Sequence, residues 1–490
     1  MKINRNYIRK VAVLFFALMI AFNAYPQQDL TIHLMPVIPQ SSYTNPAFKP
    51  IPKGYIGFPL LSSVYLGLGH SGFAYKDVFH YSSTDDSLHF MDGTMLSKLA
   101  KTNYLSANVN EEFFCFGFKA KKSYFSFSVS DKMNFQLSYP KELVNLLSYG
   151  NGQYVGTTGD FSGLGVNASY YREYAFGFSR DVRIFNQKFV IGGRYKILRG
   201  MADVYTKSKN ASWGINQDDF GYTANEVFLI NMTLPDPAIE KLDSIGHKSN
   251  NNNNNNNNNK SNFDAGKFLT NKTNKGMAID LGISYKLNNS WTFGASMLDF
   301  GYINWNTGGG SSVRNYSSNT NNFIFNGLDV GQFLGLKDSV MKIKENDMLD
   351  SIGSLFQIKT TKNGYKAPLG TKFYLTAEYS LTRHDVVGFL MRGEMLDGVM
   401  HRSATLSYNK WFFNMLSASV SYSYENRSYT NIGLGMALNL GALQIYVVSD
   451  NIYCLFNPET VRTANVHFGL NFIFGYREKK PSHSLYQDTP

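Results

Sequence analysis

The chain has 490 residues, a formal charge of +11, 38 phenylalanines, 32 tyrosines and 42 glycines. Only 17% of residues are charged, yet mean hydropathy is −0.25 and no run after the first 26 residues is long and apolar enough for a membrane helix, which excludes a helical membrane bundle. Two distant cysteines, Cys115 and Cys454, exclude a disulfide scaffold and leave one long-range bridge or two free thiols open. The basic residues are scattered rather than gathered on a helix, which excludes a nucleic-acid-binding element and predicts no nucleic-acid partner.

Residues 1–26 read as a signal peptide, with Lys2, Arg5, Arg9 and Lys10 ahead of an apolar stretch over 11–22 and cleavage expected between Ala24 and Gln28. Residues 27–52 hold prolines at 36, 39, 46, 50 and 52, which a sheet tolerates poorly, so an irregular segment in or beneath a barrel lumen is expected, a candidate plug. A first strand is expected over 55–68. Strands follow over 103–113 and 124–131, where Phe125, Phe127 and Val129 alternate with Ser126, Ser128 and Ser130. Residues 140–149 suit a short helix opened by proline. Strands resume over 161–179 and 188–201, with Arg194 and Lys196 on one face, and further strands are expected over 202–213 and 222–233.

The clearest alternation runs from 276 to 305. Met277, Ile279, Leu281, Ile283 and Tyr285 share one face; Gly276, Ala278, Asp280, Gly282, Ser284 and Lys286 share the other. The turn at Asn288-Asn289-Ser290 leads to Trp291, Phe293, Ala295 and Met297 on one face. Tyr285 and Trp291 at the turn, with Tyr302 and Trp305 at the far end, suggest aromatic girdles of a transmembrane hairpin. Long loops are expected at about 234–275, which includes the disorder-prone asparagine run 250–259, and at about 306–367, with partial helix over 333–356. Strands recur over 369–381, 385–394, 402–410, 415–425, 429–440, 443–450 and 466–476. Candidate lumen-facing charges are Asp280, Lys286, Arg194, Lys196, Lys372 and Glu378, because a charge on the lipid face costs roughly 2–4 kcal/mol near the midplane.

His467, Gly469, Phe472 and Phe474 in the last strand resemble the assembly signal of bacterial outer-membrane barrels, although a tail of residues 477–490 follows. Asn45-Pro-Ala-Phe48, the 276–305 hairpin and Val448-Ser-Asp-Asn451 resemble a Bacteroidota outer-membrane family of uncharacterised function, in the style of PorV and FadL-like barrels. That resemblance implies about fourteen strands with an N-terminal segment in the lumen; it carries no substrate-binding residue to a position here.

Enzyme signatures are thin. Gly67-Leu-Gly-His-Ser-Gly72 and Gly163-Leu-Gly-Val-Asn-Ala168 lack the strand–turn–helix setting of a dinucleotide site, and the chain has no HExxH, P-loop or GxSxG. No catalytic, cofactor or metal residue is assigned.

The expectation is an all-β fold, a transmembrane antiparallel β-barrel of about 14 strands over 53–476, with a few short helices. Its site is the bacterial outer membrane, reached by export. Its expected partners are outer-membrane lipid and lipopolysaccharide, the barrel assembly machinery and envelope proteins. Passage of small or hydrophobic molecules leads as the function. A structural or secretion-associated barrel is the alternative. A barrel-embedded hydrolase is third, and requires a Ser/His pair within hydrogen-bond reach.

Overall fold

In a computed structural model, the described residues are 29–82, 87–90, 93–184, 187–215, 222–245, 263–325, 359–396, 398–412, 415–425 and 428–475. The expected leader, asparagine run, 333–356 helix and C-terminal tail lie outside them. Alternation produces a wall with two faces. Among the described residues, fourteen strands close into one antiparallel barrel. β1 comprises Gly54–Gly57 and Val64–His70, β2 is Thr102–Ala120, β3 Ser123–Pro140, β4 Gly165–Ile184, β5 Gln187–Ile215, β6 Lys275–Lys286 and β7 Trp291–Trp305. The second half has β8 Thr371–Ser380, β9 Asp385–Leu396, β10 Val399–Phe412, β11 Leu416–Glu425, β12 Ser428–Leu440, β13 Leu443–Ser449 and β14 Thr463–Phe474. Closure comes from β14 pairing with both pieces of β1, so no strand edge is left open along the wall.

The outer face carries Ile279, Leu281, Ile283, Leu375, Leu406, Val420, Met436 and Phe472, all solvent-exposed without a membrane. Near one end Phe189 stacks on Tyr285 at 4.7 Å and Trp291 meets Tyr379 at 4.9 Å, forming an aromatic girdle. An apolar outer wall with such a belt is the surface of a transmembrane barrel. No helix among the described residues is long and apolar enough to cross a membrane. At the girdle end the connections are short, as at Lys121-Lys122 and Gly441-Ala442. The opposite end carries long excursions. There β5 runs on past the barrel, and its extension pairs with Tyr222–Pro235, which pairs with Ser311–Phe325.

Four expectations change. Residues 202–213 continue β5 rather than forming a separate strand. The first strand is broken at 58–63, where Pro59 supplies no donor and Leu60 adopts φ 64°. Alternation through 103–113 puts Phe113 on the face of Leu105 and Val109, but a bulge between Glu112 and Phe114 breaks the period there. Trp305 joins no outer girdle: it is buried at 1% exposure, because positions three apart on a strand face opposite ways and Tyr302 takes the outer face. The expected helix forms as Lys141–Tyr149, and both cysteines are free.

Candidate functional site: a plugged lumen

Residues 29–52 lie inside the barrel, nearly all of them buried. A single helical turn, Leu30–His33, presses on the C-terminal wall, where Ile32, Met35, Val37 and Ile38 meet Ala437, Tyr446 and Val448. Leu30 and Leu34 fill the gap to Leu298, Tyr374 and Leu390. The wall allows this contact because its inner face is small. Ser417, Ser419, Ser421 and Ser423 point inward from β11, and a Cβ on Gly433 of β12 would lie 2.4 Å from Thr31 Oγ1.

Polar groups satisfy the plug at each level, as buried backbone and amide groups require. The Thr31 amide donates to Asp450 Oδ1 at 2.7 Å, and the Thr31 and Ser421 hydroxyls share a bond of 2.7 Å. Gln40 and Asn471 exchange reciprocal amide bonds of 2.9 and 3.0 Å, and Gln40 Nε2 also donates to Ser62 O at 3.1 Å, within the break of β1. Tyr43 donates to Glu112 Oε2 at 2.6 Å. Ser296 Oγ donates to Thr44 O at 2.7 Å, and Lys49 Nζ donates to Lys122 O at 2.8 Å at the girdle end. His33 bridges Thr44 and Thr376 at 2.7 Å each and stacks on Tyr374. Burial first of all, together with nearby Arg392, lowers its pKa to about 3 against the pull of Asp29, so the ring is neutral at pH 7.

The motifs that marked the sequence meet in this contact. Asn45-Pro-Ala-Phe48 sits against the 276–305 hairpin, where a Cβ on Gly282 would lie 2.1 Å from Asn45 Oδ1. Asp450 of Val448-Ser-Asp-Asn451 holds the first turn of the plug.

The N-terminal wall has a different lining. Three of its cations, Lys132, Arg194 and Lys196, together with Lys372 from the adjoining β8, face three carboxylates, Glu173, Asp280 and Asp299. Lys196 is the hub, 2.8 Å from Asp280 and 3.6 Å from Glu173, with Asp299 also bonded. Lys132 meets Glu173 at 2.9 Å and Lys372 meets Asp299 at 2.9 Å. Arg194 lies over the Tyr43 ring at 4.3 Å, tying the network to the plug. Above it is a vestibule of about 420 Å³ toward the long-loop end, lined by Tyr104, Asn134, Asn167, Tyr205, Trp305 and Lys372 among others. A chamber of about 90 Å³ lies deeper and shares Asn134, Tyr171, Asp299 and Lys372 with it.

Of the candidate lumen charges, Asp280, Arg194, Lys196 and Lys372 come together in this network. Glu378 is buried on the inner face nearer the girdle end and Lys286 ends β6 opposite Thr292, so neither joins it. His467 and Gly469 of the assembly signal face inward, and Phe472 and Phe474 face out. Sequence reasoning missed Lys132, Glu173 and Asp299. The first two were legible as inner positions by alternation, but Asp299 sits at a bulge with φ 57° that breaks the period. Among the described residues no cluster of His, Cys, Asp and Glu suits a metal ion.

Fold and lumen together define the class as a transmembrane β-barrel closed internally by its own N-terminal segment. The chain belongs to the family of unknown function DUF5723, whose model matches residues 46–450. No curated protein matches it. Among solved structures it is similar to a Pseudomonas aeruginosa FadL homologue at 9% identity and TM-score 0.37, covering 90% of this chain and 94% of that one. The Pseudomonas putida toluene transporter TodX matches at 8% identity and TM-score 0.34, covering 88% and 91%. The Ralstonia pickettii toluene transporter TbuX matches at 6% identity and TM-score 0.36, covering 89% and 93%. At these values they are likenesses only.

Proposed function

We propose that the protein is an outer-membrane channel that takes a small solute into the vestibule from the long-loop side and passes it when the plug yields. The observation that carries this reading is the plug itself, bonded to both walls beneath a vestibule of about 420 Å³. A vestibule of about 420 Å³ is the size of small-molecule sites, and its mixture of Tyr, Trp, Asn and Lys suits a solute with an apolar body and a polar end. The long-loop end then faces outward and the girdle end faces the periplasm, as loop lengths in such barrels run. Lipid and lipopolysaccharide would meet the apolar wall, and the barrel assembly machinery would engage the last strand.

The test is removal of residues 29–52 behind an intact leader, with flux of small solutes into proteoliposomes as the readout. A folded, heat-modifiable barrel should become strongly permeable. A folded barrel with unchanged flux would overturn the channel reading and favour a scaffold that binds envelope proteins.

A further inference from the structure

The deeper chamber contains an arrangement that channel function does not use. Ser63 closes the break just before the second piece of β1, His467 lies on β14 and Asp29 begins the described plug. Ser63 Oγ is 2.8 Å from His467 Nε2, and His467 Nδ1 is 2.9 Å from Asp29 Oδ1. All three line the chamber of about 90 Å³. Ser63 and His467 are each 8% exposed, so the pair is shielded from bulk water yet opens on a cavity.

The protonation pattern follows from the partners. Burial works against an ionised Asp29, but the hydrogen bond and charge of His467, with Lys372 and Arg392 nearby, hold its carboxyl below the usual 3.8. An ionised carboxylate only accepts, so His467 Nδ1 carries the proton it donates to Asp29. Nε2 faces the Ser63 hydroxyl, from which it accepts in the Nδ1–H tautomer. This is the tautomer that a serine nucleophile needs, with the carboxylate orienting the ring. Asp29 adopts φ 63°, a left-handed conformation uncommon outside glycine, so the chain holds this carboxylate at a conformational cost.

We infer that Ser63, His467 and Asp29 form a nucleophile–base–carboxylate triad in the lumen, acting on a carboxylic ester that enters through the vestibule. Ser63 Oγ adds to the carbonyl carbon as its proton passes to His467 Nε2. The ester C–O bond then breaks, and His467 returns the proton to the leaving alcohol. Water attacks the acyl-serine, giving a proton to His467 Nε2; the Ser63 Oγ–carbon bond breaks, Oγ takes the proton back, and a carboxylic acid leaves. Lys132 and Asn110 line the same chamber. The small chamber takes a short acyl group, and the adjoining vestibule takes the alcohol portion. The step needs Asp29 in place on the seated plug and uses no plug movement, so labelling of the full-length protein tests it separately from passage.

The experiment uses the exported full-length protein, folded in detergent, treated with a fluorophosphonate probe and mapped by peptide analysis, alongside turnover of p-nitrophenyl butyrate. The expected result is a label on Ser63, absent in Ser63→Ala, with the labelling rate in His467→Gln lowered at least about 100-fold. Heat-modifiable mobility reports folding of each variant. A folded wild-type protein with no label on Ser63, or a folded Ser63→Ala that hydrolyses the ester as well as wild type, overturns the triad and leaves these residues as a polar pin where β1 meets β14. Because labelling of the wild type decides the matter, a variant that fails to fold does not blunt the test. Absence of flux in the plug deletion, with labelling of the full-length protein intact, would remove passage alone.

Discussion

The two walls of the barrel are built from the same alternation but do different work. The C-terminal wall, β8 to β14, has short connections along the girdle end and an inner face rich in Ser, Gly and Asn. Small side chains let the plug backbone approach closely, and hydroxyls and amides satisfy its polar groups one by one. The N-terminal wall, β2 to β7, has longer strands and an inner face of interlocked Lys, Arg, Asp and Glu. Here the plug packs on Gly192 and Gly282 toward the girdle end, and the long charged side chains beyond them leave space above. One wall holds the first turn of the plug through small side chains and the other, where it is charged, lines a vestibule, which teaches that inner side-chain size, rather than strand count, decides where a barrel is filled.

Substitutions can separate the two roles. The largest effect is expected for Lys196→Met on the charged wall. Removing the hub strands Asp280 and Glu173 without their shared cation, and breaking one partner of a buried ion pair costs roughly 3–5 kcal/mol. The midpoint temperature of heat modification should fall clearly, while solute flux through barrels that remain folded stays near wild type. A large rise in flux instead would mean that the ion network itself keeps the plug seated.

Gly433→Leu on the docking wall should do the reverse. Its side chain would collide with Thr31 and Ser421, an overpacking worth about 1–3 kcal/mol. The plug should loosen and flux should rise, with the heat-modification midpoint barely moved. Unchanged flux in the folded variant would break the assignment of this wall as the dock.

The smallest effect concerns pH. His33 is neutral in the plug, with a pKa of about 3 against 6.5 in an unfolded chain. A lowered folded pKa means that the docked state binds fewer protons below pH 6.5. Its stabilisation is therefore full above about 6.5 and is lost progressively as pH falls toward about 3. At pH 5 the plug should be weaker by about 1–2 kcal/mol than at pH 7, read as faster labelling of a cysteine placed at Gln40. His33→Gln should flatten that pH dependence.

Alternation alone was enough for the wall. A strand has a period of two, so Leu281 and Asp280, or Val420 and Ser421, must face opposite ways, and a chain with many such strands closes to pair its edges. The same rule placed Arg194, Lys196, Asp280 and Lys372 inside, and five prolines marked 27–52 as a segment that cannot join the sheet. It failed where the period slips: the bulge at Asp299, the break at 58–63, and Trp305, assigned to a girdle by residue type rather than by parity.

Distance along the chain set the other limit. Asp29, Ser63 and His467 are separated by as many as 438 positions, and Thr31 lies 419 positions from Asp450. No local pattern encodes such meetings. Periodicity determined which face each residue takes, because neighbouring side chains feel only the pleat. Which inner residues meet depends on where the last strand closes on the first and on how the plug is threaded, and only the tertiary structure decided that.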